Sequence, residues 1–476
     1  MARLNRLWVF FLLASASARV SVNDTLAAQI HGIIGRPEFT GCNWAIHAAK
    51  RLDHGDKRSM PVFDLRGDHF MVPASNTKLL STFSAWTTLG ASFQFSTPLV
   101  LTWAADMSAA MVTLCGAGDP SLTSTQLRQA VAEILEAAPA LAEASTVTVQ
   151  VDATRSSPGE EFPSSWEWGD LNYYYGAEPT AVILDANDVY VTVTPGESVG
   201  QVATVSMSPS SLGADACVAD VQNSVITVSD SDYAGLGALH AYRRGDVVLD
   251  VSGSIAVGSA PVTLTVACQD PLSRAAEAIV AVLGENGVNA SSRTPSAITY
   301  SCAECSMTNS TLASIVSPTL DVLLNHTLLV SDNTYAEAIF RRLGEDGSYE
   351  LARGALDSTL DSLGLDTSRY SVLDGSGLSR HDLVTPRFFV DLLLHADEEY
   401  VHFLPLAGRT GSLASRFIGT PAEGELYAKT GTMSNVNALS GVVGDVVFSI
   451  ISNQCPQPSS VVRQGIDDIA VLFVDV

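Results

Sequence analysis

The chain has 476 residues, and 46% of them are hydrophobic, which is enough for the buried cores of two or three domains. It carries 51 acidic against 26 basic residues, for a formal net charge of −25 at pH 7. This charge argues against nucleic acid and anionic membranes as partners, and it means that an anionic substrate must be bound by local cations.

The N-terminus has the pattern of a secretory signal peptide. Arg3 and Arg6 precede an apolar run over 7–14, and small residues follow at 16–18. A membrane anchor is the alternative, but this run is far shorter than the ~20 apolar residues that a spanning helix needs. We therefore predict a signal peptide over 1–18 and a secreted protein, extracellular or periplasmic, with no membrane anchor after cleavage.

Cysteines and glycosylation sequences agree with export. The seven cysteines predict up to three disulfides, and the C-A-E-C sequence at 302–305 is better explained by disulfides than by zinc, because no second ligand pair accompanies it. We expect no metal and no other cofactor. Asn-x-Ser/Thr sequences, which could accept glycans, begin at Asn23, Asn289, Asn309 and Asn325.

The predicted elements change character along the chain. Residues 19–96 predict a strand, a hairpin and then a helix that begins near residue 75. Residues 97–269 alternate apolar and polar side chains in short runs, which predicts a β-rich region with one helix at 125–141. The clearest of these runs are 147–151, 189–193 and 262–266.

The last part of the chain returns to a mixed pattern of helices and strands. The predicted elements are a helix over 271–283, strands over 425–429, 437–443 and 446–452, and a terminal helix over 460–474. We therefore predict an α/β fold with one discontinuous domain, 19–96 plus 270–476, interrupted by a β-rich insertion over 97–269.

Three short polar motifs lie in a fixed order along the chain. S-N-T-K covers 75–78, S-D-N covers 331–333 and K-T-G covers 429–431. Each motif alone occurs by chance in long chains, but the three together in this order indicate one kind of catalytic site. Since the first two motifs flank the insertion, the chain must leave the catalytic domain and return close to the same place.

The first motif supplies a nucleophile and a base. Ser75 is predicted at a helix start, where backbone N–H groups favour negative charge on its oxygen, and Lys78 lies on the same helix face. The hydroxyl needs a neighbouring base, and Lys78 can serve only if burial and a nearby cation such as Lys429 lower its pKa from the ordinary ~10.4. Taken alone, the motif is better explained by an N-cap and a solvent-exposed lysine.

The second motif is predicted to handle the leaving group. Ser331 would relay a proton between Lys78 and the leaving amine, and Asn333 would donate its side-chain amide to the substrate backbone. A helix N-cap is again the alternative interpretation.

The third motif is predicted to bind the substrate. Lys429 and Thr430 could bind a carboxylate, and Gly431 would let a ligand lie against the strand edge without a clashing Cβ. The N–H groups of Thr432 and Ser75 would form an oxyanion hole. The alternative is an ordinary β-turn with a surface lysine.

With these motifs the chain resembles the serine D-alanyl-D-alanine carboxypeptidases among the low-molecular-mass class C penicillin-binding proteins. The resemblance runs from Cys42 to the C-terminus and includes the long insertion after the first motif. Further similar segments are P-A-S-N-T-K at 73–78, G-A-G-D-P at 116–120, W-E-W-G-D at 166–170, D-G-S-G-L-S-R at 374–380 and G-R-T-G-S-L at 408–413.

The resemblance implies a β-lactamase/transpeptidase-like domain, an antiparallel sheet flanked by helices, with the insertion forming one or two extra nested domains. It implies removal of a terminal D-alanine, or cleavage of a D-amino-acid cross-link, in D-alanyl-D-alanine-terminated peptides or peptidoglycan. The reaction would pass through an acyl-enzyme on Ser75, and β-lactams would inhibit it. It also implies that Asp170 contacts the diamino-acid side chain of the substrate.

Other functions fit less well. A class A β-lactamase needs a glutamate for deacylation, and no glutamate between Ser331 and Lys429 has an asparagine four residues later. The histidines show no H-E-x-x-H metallopeptidase motif. A non-catalytic descendant that binds wall peptides would be expected to have lost Ser75, Lys78 or Lys429, and all three are present.

Overall fold

A computed structural model describes residues 24–52, 57–154, 162–207, 212–218, 220–233, 238–244, 248–292 and 311–476. The predicted signal peptide, Asn23, Asn309 and the cysteines at 302 and 305 lie outside these residues. In the described ranges, no helix is both long and apolar enough to cross a membrane. The chain forms two compact units: the first comprises the chain up to Thr88 with Leu324–Asp332 and Leu356–Val476, and the second comprises Leu89–Leu323 with Asn333–Ala355.

The strands are numbered in chain order. They are β1 (Asn43–Arg51), β2 (Ser59–Leu65), β3 (Ser96–Trp103), β4 (Ala109–Cys115), β5 (Thr146–Asp152), β6 (Asp188–Thr194), β7 (Thr204–Met207), β8 (Asp220–Asn223), β9 (Ile226–Val228), β10 (His240–Arg244), β11 (Val248–Ser252), β12 (Ser254–Ala256), β13 (Val262–Ala267), β14 (Ala290–Ser292), β15 (Thr311–Val316), β16 (Tyr370–Ser371), β17 (Leu383–Val384), β18 (Leu426–Met433), β19 (Val436–Val443) and β20 (Val446–Asn453).

The α-helices follow the same convention. They are α1 (24–34), α2 (Lys78–Leu89), α3 (Ser124–Ala137), α4 (Asp230–Tyr233), α5 (Pro271–Glu285), α6 (Leu320–Val330), α7 (Asn333–Arg342), α8 (Tyr349–Ser362), α9 (Pro386–His395), α10 (Glu398–His402) and α11 (Ser459–Val471).

The first unit is built on a five-stranded antiparallel sheet in the order β18-β19-β20-β1-β2. Strands β19 and β20 are buried along their whole length, so both faces of the sheet are covered. Helices α1 and α11 share a core with Phe448 and Ile450, and α9 packs against β20 and β1. The Cys42–Cys455 disulfide joins the residue before β1 to the segment after β20.

The second unit contains several separate sheets. The largest is a five-stranded mixed sheet in the order β14-β5-β4-β3-β15, and α3 and α5 share its core. Smaller sheets are formed by β13-β6-β7, β10-β11-β8 and β12-β9, and the Cys217–Cys268 disulfide lies in their core. The predicted fold class, an antiparallel sheet flanked by helices with a β-rich part in addition, is confirmed.

The position of α5 differs from the sequence-based domain limits. Those limits place 271–283 in the catalytic domain, whereas α5 packs on β5 and β14 and belongs to the second unit. An amphipathic helix shows only that one face is buried, not which sheet covers it. The limits of the predicted domains stay a prediction.

Each of the two described disulfides is expected to stabilise its own unit. A cross-link restricts the unfolded chain more when it closes a longer loop, and the sequence separations are 413 residues for Cys42–Cys455 and 51 for Cys217–Cys268. Replacing Cys42 and Cys455 with alanine should lower the free energy of unfolding of the first unit by about 2–4 kcal/mol.

The matched variant, with alanine at Cys217 and Cys268, should lower the stability of the second unit by a similar or smaller amount. Differential scanning calorimetry of both double variants measures the two effects. Unchanged transitions in the first variant would contradict the expectation.

Candidate active site

Ser75 lies in a 3-10 turn, Ala74–Thr77, that runs directly into α2. Ala74 has a φ of 48°, in the left-handed region that costs a residue with a side chain about 1–2 kcal/mol. The turn leaves Ser75 partly exposed, while Lys78 is fully buried. The Lys78 amine donates a hydrogen bond of 3.1 Å to the Ser75 hydroxyl. The structure thus brings the two predicted side chains into direct contact.

Lys429 brings a second buried amine to the site. It lies on β18 with no solvent exposure, and its amine donates to the Ser331 hydroxyl over 2.8 Å and to the Thr430 carbonyl over 2.9 Å. Burial lowers the pKa of the Lys429 amine well below its ordinary value, and repulsion from the Lys78 charge lowers this pKa further. The second and third motifs therefore meet through one hydrogen bond.

Ser331 has a strained backbone that fixes the direction of its hydroxyl. It follows the end of α6, and its φ is 62°. The Asp332 N–H donates to the Thr327 carbonyl, which is the long-range bond of a Schellman helix end with Ser331 at the left-handed position. Glycine is the usual residue at that position because it has no Cβ penalty. Serine at that position provides the hydroxyl that accepts from Lys429, which glycine could not do.

Strand β18 is the edge of its sheet, and in the part of the chain that the structure describes, a loop pairs with the first half of its outer edge. A loop at 405–407 pairs with residues 426–428. Successive residues of a strand turn their main-chain groups to opposite edges. Residues 426 and 428 face outward to the loop, so the N–H and C=O groups of Thr430 and Thr432 also face outward. The Thr430 carbonyl accepts the Lys429 amine, as described above. An extended ligand could pair with the remaining outward groups.

Gly431 allows β18 to approach the nucleophile turn. A Cβ on Gly431 would lie 2.5 Å from the Pro73 carbonyl oxygen, so any side chain would push the strand and the turn apart. On the neighbouring residue, the Thr430 hydroxyl is 2.9 Å from that of Ser412, which belongs to the G-R-T-G-S-L segment.

Asn333 and Asp170 belong to the second unit, where both lie next to the 173–176 segment. The Asn333 side-chain amide donates to the Tyr175 carbonyl over 2.8 Å. Burial, and next the charge of Asp170, raise the pKa of Tyr175 to about 12. A Cβ on Gly176 would lie 2.3 Å from the Asp170 carbonyl oxygen. The structure therefore brings these two predicted residues to one aromatic segment.

One loop of the site, 373–382, was not assigned a role from the sequence. Its Ser376 carbonyl accepts a 2.7 Å hydrogen bond from the Lys78 amine, the second bond of that amine. Two of its carboxyl groups, Asp374 and Asp382, are fully buried. From the sequence, D-G-S-G-L-S-R was recognised only as a segment similar to the family. Its chemical role could not be predicted, because aspartates beside glycines are typical of any surface turn.

A serine hydroxyl bonded to a buried lysine amine at the start of a helix is the arrangement of serine hydrolases that use lysine in place of histidine. The contact between Ser75 and Lys78 matches this arrangement.

Comparisons with known proteins agree with that class. The profile of the D-Ala-D-Ala carboxypeptidase 3 (S13) family matches residues 26–474. This chain therefore belongs to the D-Ala-D-Ala carboxypeptidase 3 (S13) family, and it is a serine-type carboxypeptidase hydrolase.

Two relatives cover most of the chain. Penicillin-sensitive carboxypeptidase A of Dictyostelium discoideum is 29% identical over 447 residues, 87% of this chain and 83% of the relative. The D-alanyl-D-alanine carboxypeptidase of Actinomadura sp. strain R39 is 30% identical over 440 residues, 87% of this chain and 79% of the relative.

A solved structure shows the same fold. Penicillin binding protein 4 (dacB) from Haemophilus influenzae superposes with a TM-score of 0.79 at 23% identity, covering 94% of this chain and 98% of the other.

Substitutions at Ser331 should change stability and activity separately, because stability depends on the backbone strain and activity on the hydroxyl. Ser331→Gly should preserve or raise the melting temperature, because glycine relieves the left-handed strain, while Ser331→Ala should not gain this stability. Both variants lack the hydroxyl that the sequence predicts to relay a proton. Acylation of Ser75 by a penicillin should therefore be about 10²-fold slower in both, as expected when a proton-transfer group is removed.

Thermal melts together with acylation kinetics of the two variants test this expectation. Near wild-type acylation in Ser331→Gly would show that the hydroxyl is dispensable.

Proposed function

We propose that this protein is an exported D-alanyl-D-alanine carboxypeptidase that acts on peptidoglycan-type peptides through an acyl-enzyme on Ser75 and is inhibited by penicillin. The observation that carries the proposal is the 3.1 Å hydrogen bond between the Lys78 amine and the Ser75 hydroxyl. Burial, and next repulsion from Lys78, lower the pKa of the adjacent Lys429 amine. The same repulsion disfavours a charge on both amines at once, which supports a neutral Lys78 amine as the base when Lys429 is charged.

In the proposed acylation step, Lys78 takes the proton of the Ser75 hydroxyl as the oxygen attacks the carbonyl carbon of the penultimate D-alanine. The C–N bond then breaks, and the proton passes through Ser331 to the leaving amine of the terminal D-alanine. The hydrogen bond from Lys429 to Ser331 supports this route, since it places the relay hydroxyl beside a buried amine. Water then hydrolyses the ester on Ser75.

In the proposed substrate complex, the peptide lies along the open outer edge of β18. The outward N–H of Thr432 and the N–H of Ser75 would stabilise the oxyanion. The Thr430 hydroxyl and the nearby Lys429 amine would hold the terminal carboxylate, and the bound carboxylate would in turn favour the charged form of that amine. Gly431 supports this arrangement because it permits the close approach of strand and turn.

The second unit is proposed to recognise the rest of the substrate. Asn333 would donate to the peptide backbone, and Asp170 would bind the amine of a diamino-acid side chain. Their shared position beside the 173–176 segment supports a common role. The same reaction at Ser75 could open a cross-linked peptide, so endopeptidase activity is part of the proposal.

Export is proposed from two independent features. The N-terminal residues have the pattern of a signal peptide, and all five cysteines in the described ranges are disulfide-bonded. Disulfides persist in oxidising compartments, such as the secretory pathway or the periplasm. The exposed Asn289 and Asn325 would be available to glycosylating enzymes in a eukaryotic host.

The proposal is tested by labelling the purified mature protein with a fluorescent penicillin. A stable adduct is expected on the wild type and none on Ser75→Ala, because acylation needs the hydroxyl and no glutamate of the class A type is available for rapid deacylation. Gel fluorescence and intact mass report the adduct, and release of D-alanine from a D-Ala-D-Ala peptide reports the activity.

The other outcomes separate the alternatives. Rapid hydrolysis of the antibiotic would instead indicate a β-lactamase-like hydrolase. Absence of both an adduct and D-alanine release would indicate a non-catalytic protein that binds wall peptides. Cleavage of cross-linked dimers faster than of pentapeptides would assign the endopeptidase activity.

A further inference from the structure

The loop 373–382 is held tightly against the nucleophile turn. The Ser376 carbonyl accepts from the Lys78 amine over 2.7 Å, and the Gly375 carbonyl accepts from the Ser81 hydroxyl over 2.7 Å. A Cβ on Gly377, whose φ is 78°, would lie only 2.0 Å from the Ala74 carbonyl oxygen. A shift of this loop would therefore move the acceptor that fixes the Lys78 amine.

Two buried carboxyl groups hold this loop in place. Asp374 accepts the backbone N–H of Gly377 over 2.8 Å and that of Ser379 over 2.7 Å. Asp382 accepts the Leu373 N–H over 2.8 Å and the hydroxyl of Thr77, the residue before Lys78, over 3.1 Å. One carboxyl thus fixes the turn, and the other ties its end to the nucleophile segment.

The Asp374 carboxyl also lies within hydrogen-bonding reach of the Asp382 carboxyl. Both oxygens of Asp374 already accept backbone N–H groups. Asp382 instead accepts one backbone N–H and one hydroxyl, and a hydroxyl can accept as well as donate. Burial, and next the charge of Asp374, raise the pKa of Asp382 well above its ordinary value.

We propose that Asp374 and Asp382 are positioning residues that hold the Ser376 carbonyl against the Lys78 amine and so keep that amine on Ser75. The inference rests on the proposed role of Lys78 as the base. It predicts an asymmetry between the two aspartates. An asparagine at 382 keeps an oxygen for the Leu373 N–H, and its N–H₂ can donate to Asp374 and to the Thr77 hydroxyl, which can accept as well as donate. An asparagine at 374 has one oxygen for two backbone N–H groups, and neither of these can accept.

The test compares Asp382→Asn with Asp382→Ala and Asp374→Asn. Stopped-flow labelling with a fluorescent penicillin, at increasing concentrations, separates the dissociation constant of the first complex from the acylation rate constant. Asp382→Asn should acylate within about threefold of the wild type, while Asp382→Ala and Asp374→Asn should lose about 30-fold or more in the rate constant, as expected for a lost buried charge-assisted bond. The dissociation constant should change little.

Two controls make the outcomes distinct. Wild type and Ser75→Ala run in parallel, so failure of the wild type to form an adduct would overturn the proposed function before the aspartates are considered. Circular dichroism and thermal melts measure the folded fraction of each variant, and each rate constant is calculated for the folded protein alone. Equal loss of rate in Asp382→Asn and Asp382→Ala, or variants that lose stability while acylating at the wild-type rate, would overturn the positioning role.

Discussion

The active site depends on burying two lysine amines side by side. Lys78 and Lys429 have no solvent exposure, and a buried unpaired charge costs several kcal/mol. Lys429 is held by the Thr430 carbonyl on its own strand and by Ser331 from a distant part of the chain, and Lys78 is held by the Ser376 carbonyl, also from a distant part. The need to supply these acceptors explains why the end of α6 and the loop 373–382 converge on the two lysines. Removing any one acceptor would leave an amine poorly compensated.

The converging loops are held in backbone conformations that are costly in isolation. Ala74 and Ser331 have positive φ, with values of 48° and 62°, although neither is glycine. Glycine occurs where a Cβ would overlap a neighbouring carbonyl, at Gly377 and Gly431. The Ser331 hydroxyl accepts a hydrogen bond from Lys429, a contact that glycine at 331 would lose. At Ser331 the positive φ therefore accompanies a side chain that makes a contact, whereas Ala74 has a positive φ without a polar side chain.

Local patterns in the sequence predicted where helices and strands lie better than they predicted which of these elements contact one another. The helix predicted over 125–141 is α3 to Ala137 followed by a 3-10 turn from Pro139, since proline breaks the helical hydrogen bonds. The strand predicted to end at Lys429 continues to Met433, because T-G-T reads locally as a turn. Neither the pairing of β1 with β20 nor the contact between Asp374 and Asp382 has a local signature. Both depend on tertiary structure.

An open edge strand is both useful and hazardous, because its unpaired groups can pair with any extended chain. The loop 405–407 closes residues 426–428 of β18, and the strand ends at Met433. Among the described residues, the outward groups that remain are the N–H of Thr430 and the N–H and C=O of Thr432. An opening this short suits an extended peptide of a few residues better than a long strand from another protein. The same covering loop therefore limits unwanted pairing and restricts ligands to short extended segments.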